Sequence, residues 1–244
     1  MKSSEIQRMS RMEDFYWWHL GRNAIVRELL KSLHLSPGSR IINIGCGTGG
    51  MIPVLQEFGA VDSYDPSSEA VQICRERGLL STNLFDGMRL PCPDGAYDLA
   101  VALDVLEHIE DDEAALDEWK RVLKPGGRML LTVPAYQWLW SSHDEALGHF
   151  RRYSASQLHR KLNRLGLSVG KRSYAITFSF PLIMAYRLFD SLRQSDHSPA
   201  ASYVMLPRPL NAFLAALLSL EGRILRHVNF PFGTSVVIIG RKNI

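Results

Sequence analysis

The sequence predicts an α/β fold built on one doubly wound, mostly parallel sheet, and three observations carry that expectation. Short apolar runs and helical periods alternate five times between residues 41 and 133. The runs Tyr97 to Leu103 and Arg128 to Val133 are rich in Leu, Val, Ala and Met, as buried parallel strands should be. Finally, the first run, Ile41 to Ile44, passes directly into the glycine-rich turn Gly45-Cys46-Gly47-Thr48-Gly49-Gly50. Sheets of this class bind ligands beyond the carboxyl ends of their strands.

A chain of 244 residues, 46% hydrophobic and 22% charged, is sized and composed for one large globular α/β unit. Its net charge of +3 is too small to indicate nucleic-acid binding by itself. Cys46, Cys74 and Cys92 are odd in number and lack CxxC spacing, which argues against a disulfide framework and a zinc site and predicts a reducing, cytoplasmic setting. Residues 1–12 contain no apolar run of the signal-peptide kind. The longest uncharged stretch, Ser173 to Tyr186, falls short of the roughly 18–20 residues of a spanning helix.

In chain order, the aromatic cluster from Glu13 to His19 precedes a helix expected over Arg22 to Leu35. There Ile25, Leu29 and Leu33 form one apolar row, and Val26 and Leu30 the next. The cluster is either a lid over a ligand or a hydrophobic cap. After the glycine turn come a short helix around Val54 and Leu55, a strand Val61 to Tyr64 ending at Asp65, and a helix begun by Pro66. Leu79 to Phe85 reads as the third strand, ending at Asp86, and Tyr97 to Leu103 as the fourth, followed by Asp104. Glu110 to Leu123 is helical, acidic at its start and basic at its end, and Lys124-Pro125-Gly126-Gly127 stops it. Arg128 to Val133 is the fifth strand.

Residues 135–153 form a long loop with two tryptophans, two histidines and two arginines, and loops of that length are commonly functional. Ser154 to Leu165 returns to helix and Leu167 to Ala175 to strand. Two apolar helical segments, Phe180 to Leu192 and Pro207 to His227, flank a polar linker, and Gly233 to Gly240 is the last of seven strands. The expected organisation is an N-terminal aromatic cap and helix (1–40), a core (41–175), a helical insertion (176–232) and a final core strand (233–244).

The glycine turn alone is ambiguous. Gly45, Gly47 and Gly50 satisfy GxGxxG, and Gly45, Gly47 and Gly49 satisfy GxGxG. The acids Asp65, Asp86 and Asp104 at three strand ends weigh against a pyrophosphate and favour a ligand bearing sulfonium and ammonium groups, S-adenosylmethionine rather than NAD. Each acid also fits an ordinary strand-end turn or helix cap.

Residues 41–134 resemble the core of the class I methyltransferases. The resemblance rests on Ile44-Gly45-Cys46-Gly47-Thr48-Gly49, Tyr64-Asp65-Pro66-Ser67, Asp86 to Pro91 with Asp94 to Asp98, Leu106-Glu107-His108-Ile109, and Leu123 to Gly127, five motifs in order. It implies a Rossmann-like seven-stranded sheet with an antiparallel last strand, and S-adenosyl-L-methionine as cofactor. Gly45, Gly47 and Gly49 would then admit its methionine portion, Asp65 would hold its ribose, and Phe85 and Asp86 would line its adenine, with Cys46, Pro66 and Leu103 as further cofactor-binding residues. Asn43 departs from the pattern, standing where the family usually has an acid. The flanks Trp17 to Arg22 and His149 to Tyr153 resemble stretches of a bacterial branch with varied substrates.

The expected activity is methyl transfer to a small-molecule or lipid-like acceptor. His143 and His149 are the candidate general bases, and Trp18, Arg22, His149, Arg152 and Tyr153 the candidate substrate residues. Asp104-Val105-Leu106-Glu107-His108 resembles a metal-binding segment of some ubiquinone-pathway O-methyltransferases, whereas many relatives carry the Glu-His pair without metal, and no metal is expected here. Other readings are an RNA methyltransferase using Arg151, Arg152, Arg160, Lys161 and Arg164, a non-catalytic S-adenosylmethionine-binding protein, and an NAD-dependent dehydrogenase. The second insertion helix, with an apolar face of Leu210, Phe213, Leu214, Leu217, Leu220, Ile224 and Leu225 beside Arg223 and Arg226, is expected to pack on the core, to cover a lipid-like substrate, or to touch a membrane surface or partner.

Overall fold

The computed structural model describes residues 3–185 and 205–243. Seven strands form one sheet: β1 (Arg40–Ile44), β2 (Ala60–Asp65), β3 (Thr82–Leu84), β4 (Tyr97–Leu103), β5 (Leu123–Pro134), β6 (Leu167–Ala175) and β7 (Ser235–Lys242). Their spatial order is β3-β2-β1-β4-β5-β7-β6. The pairs β1–β2, β1–β4, β2–β3 and β4–β5 are parallel, whereas β7 runs antiparallel between β5 and β6. This is the Rossmann-like, seven-stranded arrangement with an antiparallel last strand.

Strand alternation sends side chains to two cores. Ile42 and Ile44, with Ala100, Met129, Leu131 and Ile238, meet α5 (Asp112–Arg121) and α7 (Ala155–Arg164) through Leu116, Trp119, Leu158 and Leu162. Ile41, with Leu99, Val101, Leu130 and Val237, faces α2 (Trp17–Leu33), α3 (Ile52–Gln56) and α8 (Arg208–Leu225) on the other side. A further helix, α4 (Ser68–Glu76), buries Ala70, Val71 and Cys74, and the Ser67 hydroxyl accepts the Ala70 N–H as its N-cap.

Several boundaries differ from expectation for identifiable reasons. Helix α2 begins five residues before Arg22, so Trp17, Trp18 and His19 belong to it. It ends at Leu33, with His34 in the left-handed region at φ 47°. An additional helix, α1 (Ser3–Met12), precedes it, polar overall but with Ile6 buried. β3 is only three residues long. Lys124 to Gly127 does not stop the chain but opens β5, with a register shift against Tyr97 and Leu99. The long loop contains a 3-10 turn at Gln137–Leu139 and the helix α6 (Ser142–Leu147), closed by a capping box between Ser141 and Asp144.

In the insertion, helix is described from Phe180 to residue 185 and again in α8, while the Ser195 to Ser202 linker lies outside the described residues. Among the described residues no helix is long and apolar enough to cross a membrane.

Helices α2 and α8 approach so closely that each contributes a glycine. A Cβ on Gly21 would fall 2.3 Å from Leu218 Cδ1, and one on Gly222 would fall 2.9 Å from the Ile25 Cα. Asn211 bridges the same pair, its Oδ1 accepting the Trp17 N–H and its Nδ2 donating to the Phe15 carbonyl. Gly222→Val forces backbone apart and is expected to cost about 2–3 kcal/mol, read as a lowered urea midpoint.

Candidate functional site

The turn after β1 uses its glycines as backbone devices. Gly45, Gly47 and Gly49 have φ of 67°, 55° and 94°, the left-handed region where other residues are strained, whereas Gly50 is not in this group. A Cβ on Gly45 would lie 2.5 Å from Val105 Cγ2. Gly45 and Cys46 donate their N–H groups to the Tyr64 carbonyl, tying the turn to the end of β2. There Asp65 is buried, its Oδ2 accepting Gly47 N–H at 2.8 Å and its Oδ1 Ser67 N–H at 2.9 Å. Burial raises its pKa against those two bonds. The thiols of Cys46 and Cys74 both lie on the Gly47 carbonyl, at 3.8 and 3.3 Å.

Pro66 follows Asp65 at the surface, and Leu103 is buried at the end of β4. Phe85 packs edge-on against Tyr64, with ring centroids 6.2 Å apart. Asp86 is exposed, and its Oδ1 accepts the Met88 and Arg89 N–H groups, which hold its pKa low. Asn43, at the acid position of the resemblance, is buried, and its Nδ2 has no hydrogen-bond partner among the described residues.

Residues far apart in sequence roof this turn. Met9 of α1 reaches Gly47, where a Cβ would fall 2.9 Å from its Cε. Glu13 is buried beside the turn, accepts the Thr48 hydroxyl, and pairs with Arg77 at 2.6 Å. Arg77 also donates to the Ser10 carbonyl. Burial raises the Glu13 pKa, and Arg77 opposes it. Neither Glu13 nor Arg77 carries a recognisable motif. The only sequence signal was the apolar spacing Ile6, Met9, Met12 in an otherwise polar stretch.

A second cluster opens at the ends of β4, β5 and β6. Asp104, Tyr136 and Ile176 have positive φ of 58°, 58° and 60°, a concentration of strain at one edge of the sheet. Asp104 pairs with Arg22 at 2.8 Å and accepts the Thr132 hydroxyl at 3.2 Å. The Arg22 guanidinium stacks over Trp18, 4.9 Å from the ring centroid. His19, buried beside Arg22, is pushed down to about 3 by burial and that neighbouring charge.

In the 135–153 segment, Arg152 and Tyr153 are buried and committed internally, not presented to a ligand. Arg152 donates from Nε and Nη2 to Asp144, and the Tyr153 hydroxyl donates to Asp112. His149 Nδ1 lies 2.9 Å from Asp144 Oδ1, so a carboxylate orients the ring, an arrangement shared by general bases and metal ligands. His143, on α6, is not part of the group formed by Glu107, His108 and His149.

The proposed phosphate-facing patch is largely neutralised from within. Arg151 donates to the Ile109 and Glu110 carbonyls and lies 3.3 Å from Asp112, while Lys161 pairs with Asp112 and Glu113.

Residues 17–171 match the family model described as a methyltransferase domain. A 37.1 kDa protein carried on transposon TN4556 in Streptomyces fradiae is 30% identical over 175 residues, covering 65% of this chain and 50% of that one. An O-methyltransferase of Pyrenophora dematioidea is 31% identical over 120 residues, 45% of each chain. The chain thus spans about half the length of these relatives. Among solved structures, a complex of the Haloferax volcanii Trm112 methyltransferase activator with a methyltransferase aligns at a TM-score of 0.63 and 20% identity, covering 99% of this chain and 95% of that one. At that identity the likeness concerns the fold.

Proposed function

The chain belongs to the methyltransferase-domain family, as a class I S-adenosylmethionine-dependent member, and from that premise we propose that it methylates oxygen or nitrogen of a small-molecule or lipid-like acceptor by in-line displacement. The observation that carries this reading is the juxtaposition of two half-sites. The glycine turn with Asp65 forms one, and the strained edge with Arg22, Asp104 and Thr132 forms the other, joined where Val105 packs on Gly45.

The residues present fit the cofactor. The three left-handed glycines let Val105, Met9 and Leu79 pack directly onto the backbone of the turn, and the buried Asp65 carboxylate sits beside that turn, suited to accept ribose hydroxyls. In this reading Gly45, Gly47 and Gly49 flank the methionine portion, Asp65 the ribose, and Phe85 and Asp86 the adenine, with Cys46, Pro66 and Leu103 as further cofactor-binding residues. When bound, S-adenosylmethionine supplies a methyl group activated by its positive sulfur. The chain's own contribution is positioning, holding the acceptor atom about 3–3.5 Å from the reacting carbon and excluding water. The Arg22–Asp104 pair fixes the rim on which an acceptor would rest.

A lipid-like acceptor is supported by the exposed Leu210, Phe213 and Leu220 of α8, with Trp138 and Phe150 exposed in the loop. The internal pairing of Arg151, Arg152 and Lys161 supports a small-molecule over an RNA acceptor. The test is tritiated methyl transfer from S-adenosylmethionine into a cell extract, fractionated into lipid, small-molecule and RNA pools. Label is expected in the lipid or small-molecule pool. Label confined to RNA would overturn the acceptor class, and none in any pool would leave a binding protein.

A further inference from the structure

We propose that Glu107, His108 and His149 form a site for one divalent transition-metal ion of the zinc class, pinning the segment after β5 to the end of β4. This goes beyond methyl transfer and is independent of the acceptor. One ligand atom from each of the three residues lies within 4.8 Å of the others. Glu107 is 1% exposed, and neither of its carboxylate oxygens has a hydrogen-bond partner among the described residues. A buried carboxylate left without partners is costly, and a cation between it and two imidazoles removes that cost.

One imidazole is already held as a ligand is held. His149 Nδ1 lies on the Asp144 carboxylate. An outer oxygen of this kind fixes ring orientation and tautomer, leaving the other ring nitrogen for an ion. The two rings meet edge to face, with centroids 4.6 Å apart.

Asp104 is engaged by Arg22 and Thr132 and stands outside the set, so the third ligand comes from the distant loop.

Two imidazoles and one carboxylate suit zinc, iron or cobalt rather than magnesium. The backbone already ties the same two segments, the Phe150 N–H donating to the Glu107 carbonyl at 2.7 Å, and the ion would complete that junction. The site is enclosed, the His149 side chain being only 7% exposed, which favours an ordering role.

The test uses tag-free, chelator-treated protein titrated with Co2+ and Zn2+. Wild type is expected to show visible cobalt d–d bands saturating at one ion per chain, and a melting temperature raised by about 5–10 °C at hundredfold excess of Zn2+ over its Kd. Glu107→Gln and His149→Ala should each lose the bands and weaken zinc by about 100-fold or more, while His143→Ala keeps both signals. S-adenosylhomocysteine calorimetry on all variants confirms that the glycine turn is folded, and it separates failure of this site from failure of the donor assignment. Absence of bands and thermal shift in wild type would overturn the site. So would bands undiminished in folded His149→Ala, or stabilisation by Mg2+ but not by Zn2+.

Discussion

Asp65→Ala is expected to weaken S-adenosylhomocysteine binding by about 100-fold or more in calorimetry. Two effects add. The substitution removes the carboxylate placed to accept the ribose hydroxyls, and it releases the Gly47 and Ser67 N–H groups that position the turn. Hydrogen bonds to a charged group contribute about 1.5–3 kcal/mol each, and every 1.4 kcal/mol is about tenfold in affinity. The pH dependence has a definite sign. Burial raises the Asp65 pKa above the ordinary value near 3.8, so ligand affinity should fall on acidification at a higher pH than an exposed aspartate would produce. Affinity unchanged in Asp65→Ala would remove the donor assignment.

Asp144→Ala is the larger effect on stability, expected to cost about 3–5 kcal/mol in urea denaturation. The carboxylate is fully buried. It receives Nε and Nη2 of the equally enclosed Arg152 at 2.8 and 2.9 Å, the Ser141 N–H at 2.9 Å, and the His149 ring. Removing it strands the Arg152 charge away from water and uncaps α6. The double substitution Asp144→Ala with Arg152→Met should therefore be less destabilised than Asp144→Ala alone. His149 and Arg152 hold the Asp144 pKa well below the usual aspartate range against the burial that raises it. A depressed carboxylate contributes stability above its unfolded pKa and loses it as the pH falls toward the folded value. Wild type should thus lose stability below about pH 5 more steeply than a variant lacking the pair.

The sequence was most legible where one physical constraint dominates. β4 and β6 coincide with the expected Tyr97–Leu103 and Leu167–Ala175 because continuous burial or a strand between turn signals leaves little choice of boundary. The glycine turn was legible because left-handed backbone demands glycine at 45, 47 and 49.

Elements set by distant partners were not. Helix α1 is stabilised by Glu69 meeting Ser3 and Gln7, and by Arg77 meeting Ser10, across more than sixty residues. β5 begins at Leu123 because its ladder reaches back to Tyr97, overriding the local turn signal of Lys124 to Gly127. In the loop, arginine and tyrosine looked like ligand-facing residues. Their partners Asp144 and Asp112 lie eight and forty-one residues away, and only the folded chain shows those polar atoms already engaged. Likewise, Glu107 and His108 were visible as a pair, whereas His149 joins them only through the return of the chain.

The glycine contact between α2 and α8 constrains how this chain can be rebuilt. The matched family segment begins at α2 and ends at residue 171, before α8, yet the two helices share one interface through Gly21, Leu218, Ile25 and Gly222. A graft that exchanges the insertion alone between relatives would bring a foreign surface against a helix shaped for Leu218. Chimeras meant to move acceptor preference must therefore carry both ends of the chain together, the first thirty-odd residues with the insertion, although nearly two hundred positions separate them.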